Sequence, residues 1–120
     1  MDITLRRVTH ANFGELADLA VREDQREFVA SNAVSIMEAY TTLVEGGVAL
    51  PFGIYVGDTP VGFLMIGYDC LDWEDAPAVA RGAYCLWRLM IDARYQGRGY
   101  GLSLIHICAI TAGTFPEKFQ

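Results

Sequence analysis

Between Leu89 and Gly101 the chain reads L-M-I-D-A-R-Y-Q-G-R-G-Y-G. Gln96, Gly97, Arg98, Gly99, Tyr100 and Gly101 set a glycine at every second position. Glycines so spaced let successive backbone amides converge on one point without interference from Cβ atoms. A helix opening directly behind the loop would add its unpaired N–H groups and positive dipole end, making an anion site that suits a pyrophosphate. Two other phosphate loops do not match. A dinucleotide loop wants G-x-G-x-x-G in a first βαβ unit and an acid about 20 residues downstream, whereas this loop sits near the chain end with no such acid. A Walker loop needs Gly-Lys-Ser/Thr, and the sequence has none. The competing reading is a glycine turn with no ligand.

A second group of candidates is charged. Glu23, Asp24 and Glu27 gather three carboxylates beside Phe28, in what the sequence suggests is the end of a helix. Acids are unfavourable at that negative dipole end, so their clustering there points to an incoming cation. Alternatively they belong to the first turn of the next helix, or pair with Arg22 and Arg26 on a solvated face. Asp72, Glu74 and Asp75 read as solubility, and Tyr68 and Trp73 as either an amine-site wall or buried strand-end residues. Neither His10 nor His106 has the surroundings of a catalyst. Cys70, Cys85 and Cys108 lack metal-ligand spacing, so no metal is expected, and the odd thiol count fits a reducing cytoplasm.

The elements that would position these residues follow from periodicity. Ile3, Leu5 and Arg7 alternate with Thr4, Arg6 and Val8 as a half-buried strand. Thr9 can cap a helix through Phe13, Leu16, Ala17, Leu19 and Ala20, ending near Val21 to Glu23. Ser31 or Asn32 can cap a second through Ile36, Met37, Tyr40 and Leu43, closed by Gly46-Gly47. From Ala49 the period becomes two. Phe52 to Val56 and Val61 to Tyr68 are strands joined by Gly57-Asp58-Thr59-Pro60, Leu71 to Gly82 is a long loop, and Ala83 to Asp92 is a further antiparallel strand.

At 120 residues, 52 % hydrophobic and 20 % charged, the chain should fold as one domain rather than stay disordered. Its net charge of −6 argues against nucleic acid and anionic membranes and favours a cationic small molecule. No secretory signal or long apolar span is seen.

The pattern Gln-x-x-Gly-x-Gly after a strand ending L-M-I-D resembles the acetyl-CoA loop of the GNAT superfamily of N-acetyltransferases. The order β-α-α-β-β-β-loop-α matches the first half of that fold. V-R-E-D-Q-x-x-F-V-A-S-N at Val21 to Asn32, P-V-G-F at Pro60 to Phe63 and R-L-M-I-D at Arg88 to Asp92 are similar to the bacterial diamine and spermidine/spermine-type enzymes. The resemblance covers about Ile3 to Gly101. It implies an α/β fold of α+β type, with a mixed, mostly antiparallel sheet and flanking helices, and acetyl-CoA-dependent transfer of acetyl to a primary amine, most naturally a polyamine or diamine. It also implies that the backbone of Leu89, Met90 and Ile91 pairs with the pantetheine arm and that amides from Gln96 to Leu102 hold the diphosphate; Glu23, Asp24, Glu27 and Phe28 remain the candidates for meeting the amine on the charge argument above. It names no catalytic residue and leaves a homodimer open.

The resemblance stops at Leu102. L-S-L-I-H-I, Leu102 to Ile107, is what a transposase mosaic end, CTGTCTCTTATACACATC, would encode, and no charge follows Gly101 before Glu117. The basic residues up to Gly101 are all arginine, whereas the single lysine, Lys118, lies beyond. The expectation is a single domain over residues 1–120 that holds only the N-terminal part of an N-acetyltransferase, with a doubtful tail at 102–120 that is either a buried, uncharged helix or a non-native stretch. The alternative function is a noncatalytic acyl-CoA-binding fragment or an inactive truncated product.

Overall fold

The computed structural model describes residues 3–26, 30–68 and 84–101, apart from the side chains of 84 and 85. Four strands, β1 (Ile3–Arg7), β2 (Val48–Val56), β3 (Thr59–Tyr68) and β4 (Tyr84–Ile91), form one antiparallel sheet in the order β1-β2-β3-β4. Two helices, α1 (Phe13–Ala17) and α2 (Asn32–Val44), lie between β1 and β2 in the chain.

The alternation of β2 and β3 sorts their side chains into two cores. On one face Tyr55, Phe63, Met65 and Met90 pack with Leu16, Leu19, Val21 and Ala39 from the helical segments. On the other, Phe52, Ile54, Leu64 and Ile66 pack with Tyr100 and, at the margin, Tyr95. The glycine-loop tyrosines are therefore part of the second core. Gly53 leaves room for α1: a Cβ there would meet the Leu16 side chain at 2.7 Å.

The first helix is shorter than its apolar spacing suggests. It ends at Ala17, not near Val21 to Glu23, and its N-cap is Asn12 rather than Thr9. The Asn12 side chain accepts from the Thr9 amide (2.7 Å) and donates to the Arg7 carbonyl (3.0 Å), which turns the chain off β1. Beyond Ala17 the backbone is captured by β4's end. The Ala20 amide donates to Asp92 Oδ1 (3.0 Å), and the Ala93 amide donates back to the Ala20 carbonyl (2.9 Å). Those two bonds replace the helical ladder.

For α2 the cap and stop are as the sequence suggests: Ser31 Oγ accepts from the Val34 amide at 3.2 Å, and Gly46 follows with φ 85°. The buried face differs from the apolar one. Asn32, Ser35 and Ala39 are buried, while Met37 and Tyr40 are 62 % and 68 % exposed. Small residues let the helix sit close on the sheet. Between β2 and β3 the turn is tighter than four residues, because Thr59 already pairs with Val56. Gly57 takes φ 62°, and Arg6 donates to its carbonyl and to Asp58.

The long loop at Leu71 to Gly82, the Cys85 side chain and the stretch from Leu102 onward, including His106, lie outside the described residues. Among the described residues no helix is long and apolar enough to cross a membrane.

Candidate functional site

β4 ends at Ile91, and the next residue stops it by folding back on itself. Asp92 is 4 % exposed and caps a 3₁₀ turn, Ala93–Tyr95, by accepting from the Arg94 amide (3.0 Å) and Arg94 Nε (2.8 Å). With the Ala20 amide on its other oxygen, this carboxylate ties three segments together. Burial alone would push the Asp92 carboxyl up, but hydrogen bonds from the Arg94 guanidinium and the Ala20 and Arg94 amides outweigh it and hold the carboxyl below the usual carboxylate range.

That depression sets a pH prediction. A carboxylate with a lowered folded pKa adds stability that is fully present above its unfolded pKa, about 3.9, and is lost as pH falls through the folded value. Asp92→Asn should cost about 1–3 kcal/mol at pH 7. The gap to wild type should begin to narrow below about pH 4 and shrink further as pH falls through the folded value. Urea denaturation at pH 7 and pH 3 reads both, and a gap independent of pH would refute the assignment.

After the 3₁₀ turn the glycines adopt the backbone that only they take freely. Gly97 has φ 81° and Gly99 φ 79°, on either side of Arg98. Alternation of this kind points amides to a common side. Among the described residues no group accepts a hydrogen bond from the backbone amides of Gly97, Arg98 or Gly99. Tyr100 and Gly101 begin a helical turn whose continuation is outside the described residues.

In front of this loop lies a cleft of about 460 Å³. It brings together Leu89, Met90 and Ile91 of β4 with Gln96, Gly97, Gly99, Tyr100 and Gly101, eight of the nine residues that the sequence assigns to a cofactor. Arg98 is the ninth. It does not line the cleft, and its guanidinium stands 5.6 Å from the Tyr95 ring centroid. Among the described residues β4 pairs on one side only, with β3, so its other edge keeps free N–H and C=O groups beside the cleft. The register slips between Met65–Arg88 and Ile66–Leu86, a bulge that re-aims β4 where it enters the cleft. There Arg88 Nη2 reaches Glu38 of α2 at 2.8 Å, while the buried Arg88 Nε has no partner among the described residues.

Three lining residues were not singled out by the sequence: Val21, Gln25 and Tyr95. Gln25 is bound to the loop, since Gln96 Nε2 donates to Gln25 Oε1 (3.0 Å) and to the Ile91 carbonyl (2.9 Å). The side chain of Gln96 thus spans strand and segment. The signal for Val21 and Gln25 was their place in V-R-E-D-Q, and for Asp92 its place in R-L-M-I-D.

The charged candidates are arranged differently from the expectation. Glu23 and Asp24 occupy a single 3₁₀ turn, Glu23–Gln25, preceded by Arg22. They are exposed and lie at the start of a turn rather than at a helix's negative end, so the dipole argument for a cation there does not hold. Asp24 meets Arg22 at 3.6 Å on the solvated surface. Glu27 and Phe28 lie outside the described residues, as do Asp72, Trp73, Glu74 and Asp75. His10 is exposed against Phe13, 5.5 Å between ring centroids. A second cavity of about 230 Å³ lies behind the cleft wall, lined partly by Ala17, Ala20, Ala30 and Asn32, and it shares Val21 and Met90 with the first.

No protein-family model matches the sequence. Among solved structures, a GNAT family acetyltransferase from Staphylococcus aureus superposes with TM-score 0.60 over 96 % of this chain and 81 % of its own, at 12 % identity. The chain has the GNAT acetyltransferase fold. An N-acetyltransferase from Thermoplasma acidophilum in complex with coenzyme A shares the GNAT fold with TM-score 0.56, covering 97 % of this chain and 75 % of its own at 13 % identity. In sequence the chain resembles the spermine/spermidine N(1)-acetyltransferase of Bacillus subtilis, 33 % identical over 109 residues. That match takes in 88 % of this chain and 64 % of the relative, so the chain spans less than two thirds of the curated relative's length. A probable spermine N(1)-acetyltransferase of Bacillus subtilis subsp. natto is 32 % identical over the same length. The α+β architecture with its antiparallel sheet and flanking helices is that of the GNAT fold, as the loop and the element order imply.

Proposed function

We propose that this chain carries the acetyl-CoA-binding part of an N-acetyltransferase whose acceptor is a primary amine, a polyamine or diamine in first place. The observation behind it is the cleft, where the free edge of β4 continues into two left-handed glycines with exposed amides. Those amides suit a diphosphate, and the edge groups of Leu89, Met90 and Ile91 suit the two amides of a pantetheine arm. When bound, acetyl-CoA supplies a thioester whose carbonyl carbon is open to attack by a neutral amine. An amide of β4 aimed at that carbonyl oxygen would stabilise negative charge developing there.

The amine arrives protonated. With a pKa of about 10.4, only about one molecule in 10^3.4 is neutral at pH 7, a handicap of roughly 4–5 kcal/mol. Among the described residues no carboxylate or histidine lines either cavity, so this part of the chain offers water as the base. Glu23 and Asp24 stand exposed on the turn that carries Gln25 into the cleft wall, where their charge would attract a cation to the cleft.

A second reading is an acyl-CoA-binding piece without turnover, favoured by two cavities that no carboxylate or histidine lines among the described residues. One experiment separates them. Calorimetric titration with acetyl-CoA followed by a thiol-release assay with spermidine should show binding and release under the first reading. Binding without release supports the second, and absence of binding refutes both.

A further inference from the structure

We propose that Met90 is the partition that limits the length of the acyl group the cleft accepts, and that Asn32 is the positioning residue that holds it there. The inference rests on the acyl-CoA reading above. With a diphosphate at the Gly97–Gly99 amides and an extended arm along β4, the acyl end of the molecule comes to the far part of the cleft, where Met90 and Val21 form the wall. The same two residues line the 230 Å³ cavity behind it. Two apolar side chains therefore separate the cleft from a space large enough for several methylenes.

The partition is held from three sides. Met90 is 6 % exposed and packs in the core with Leu16, Leu19 and Val21. A thioether is flexible and would by itself yield to a ligand. Here its sulfur receives Asn32 Nδ2 at 3.6 Å, and the same nitrogen donates to the Leu16 carbonyl (2.8 Å) and the Leu19 carbonyl (3.4 Å). Asn32 is 2 % exposed, so this amide is fixed by bonds it cannot exchange for water. One side chain thus ties the end of α1, the start of α2 and β4 at the sulfur. An acetyl group stops short of the wall, whereas a longer chain has to displace Met90. Behind it, Ala17, Ala20, Ala30 and Ser31 take up little of the space, Arg26 lines it with Nε donating to the Val21 carbonyl (3.4 Å), and the cavity would accept those methylenes once the wall is cut back.

Titration of the wild-type chain, Met90→Ala and Met90→Leu with acetyl-, butyryl- and hexanoyl-CoA tests this. Wild type and Met90→Leu should bind butyryl-CoA about tenfold more weakly than acetyl-CoA. In Met90→Ala the order should reverse, with about fourfold gained per buried methylene. Val21→Ala opens the other half of the wall and should relax selectivity in the same direction, which keeps the test decisive if Met90→Ala fails to fold. Asn32→Ser should broaden selectivity while acetyl-CoA affinity holds, a split that general loosening of the fold would not produce. Acetyl-CoA binding with wild-type selectivity in both Met90→Ala and Val21→Ala overturns this inference alone. Failure of acetyl-CoA to bind the wild-type chain overturns the cofactor reading, and this inference with it.

Discussion

Gly99→Val should weaken acetyl-CoA binding by about 10- to 100-fold, while Arg98→Ala weakens it less than about fivefold. The first figure follows from backbone strain. Gly99 sits at φ 79°, where a β-branched residue is an outlier costing about 1–3 kcal/mol, and each 1.4 kcal/mol is tenfold in affinity. A Cβ at Gly99 meets nothing within 4 Å, so the penalty comes from the main chain and not from crowding. The loop relieves it by rotating out of the conformation that aims its amides, and the anion site goes with it. Arg98 contributes an exposed guanidinium that does not line the cleft, and single exposed charge pairs are worth about 1 kcal/mol or less. Calorimetry on the two variants, with melting curves to show both folded, decides. The reverse ranking would mean that side chains hold the ligand.

Gly62→Ala should lose about 2–3 kcal/mol or more of folding stability and damage ligand binding from a distance. Gly62 lies in β3 opposite Ile91, and a Cβ on it would run into the Met90 main-chain carbonyl, with the Ile91 and Ile54 Cδ1 atoms at 3.0 and 3.1 Å. A side chain can rotate away, but a strand carbonyl cannot. Relief requires β4 to move off β3, and β4 is the strand whose free edge borders the cleft. Gly14→Ala is the matched control: α1 leaves open space at that position, so the change should be neutral or stabilise by up to about 1 kcal/mol. Chemical denaturation of both proteins reads the difference. Equal stabilities would show that the sheet yields at Gly62 and that the strand spacing is softer than argued.

Much of the sheet was legible because its code is local. Alternation through β2 and β3, a Gly-Asp turn and an Asp that ends β4 each act over a few residues, and the structure reproduces them within two residues, except that β2 starts at Val48, four residues before Phe52. The length of α1 was not legible. Leu19 and Ala20 continue its apolar spacing, yet the Ala20 amide is claimed by Asp92, 72 residues away in the chain. The buried side of α2 was hidden for a related reason. Periodicity reports where apolar residues recur, but close approach to the sheet selects small ones, so Asn32, Ser35 and Ala39 go inward and Tyr40 outward.

For the cleft the division is similar. The glycine spacing alone determined that the segment after β4 would be a loop able to bare successive amides, since no other residue type adopts positive φ so freely. Which residues face that loop was decided by tertiary structure alone. Val21 and Gln25 reach it because a shortened helix lets the intervening segment cross to the end of β4, and Asn32 reaches Met90 because α2 starts where that segment returns. Hydrogen bonds between segments far apart in the chain set those positions, and no periodicity within either segment encodes them.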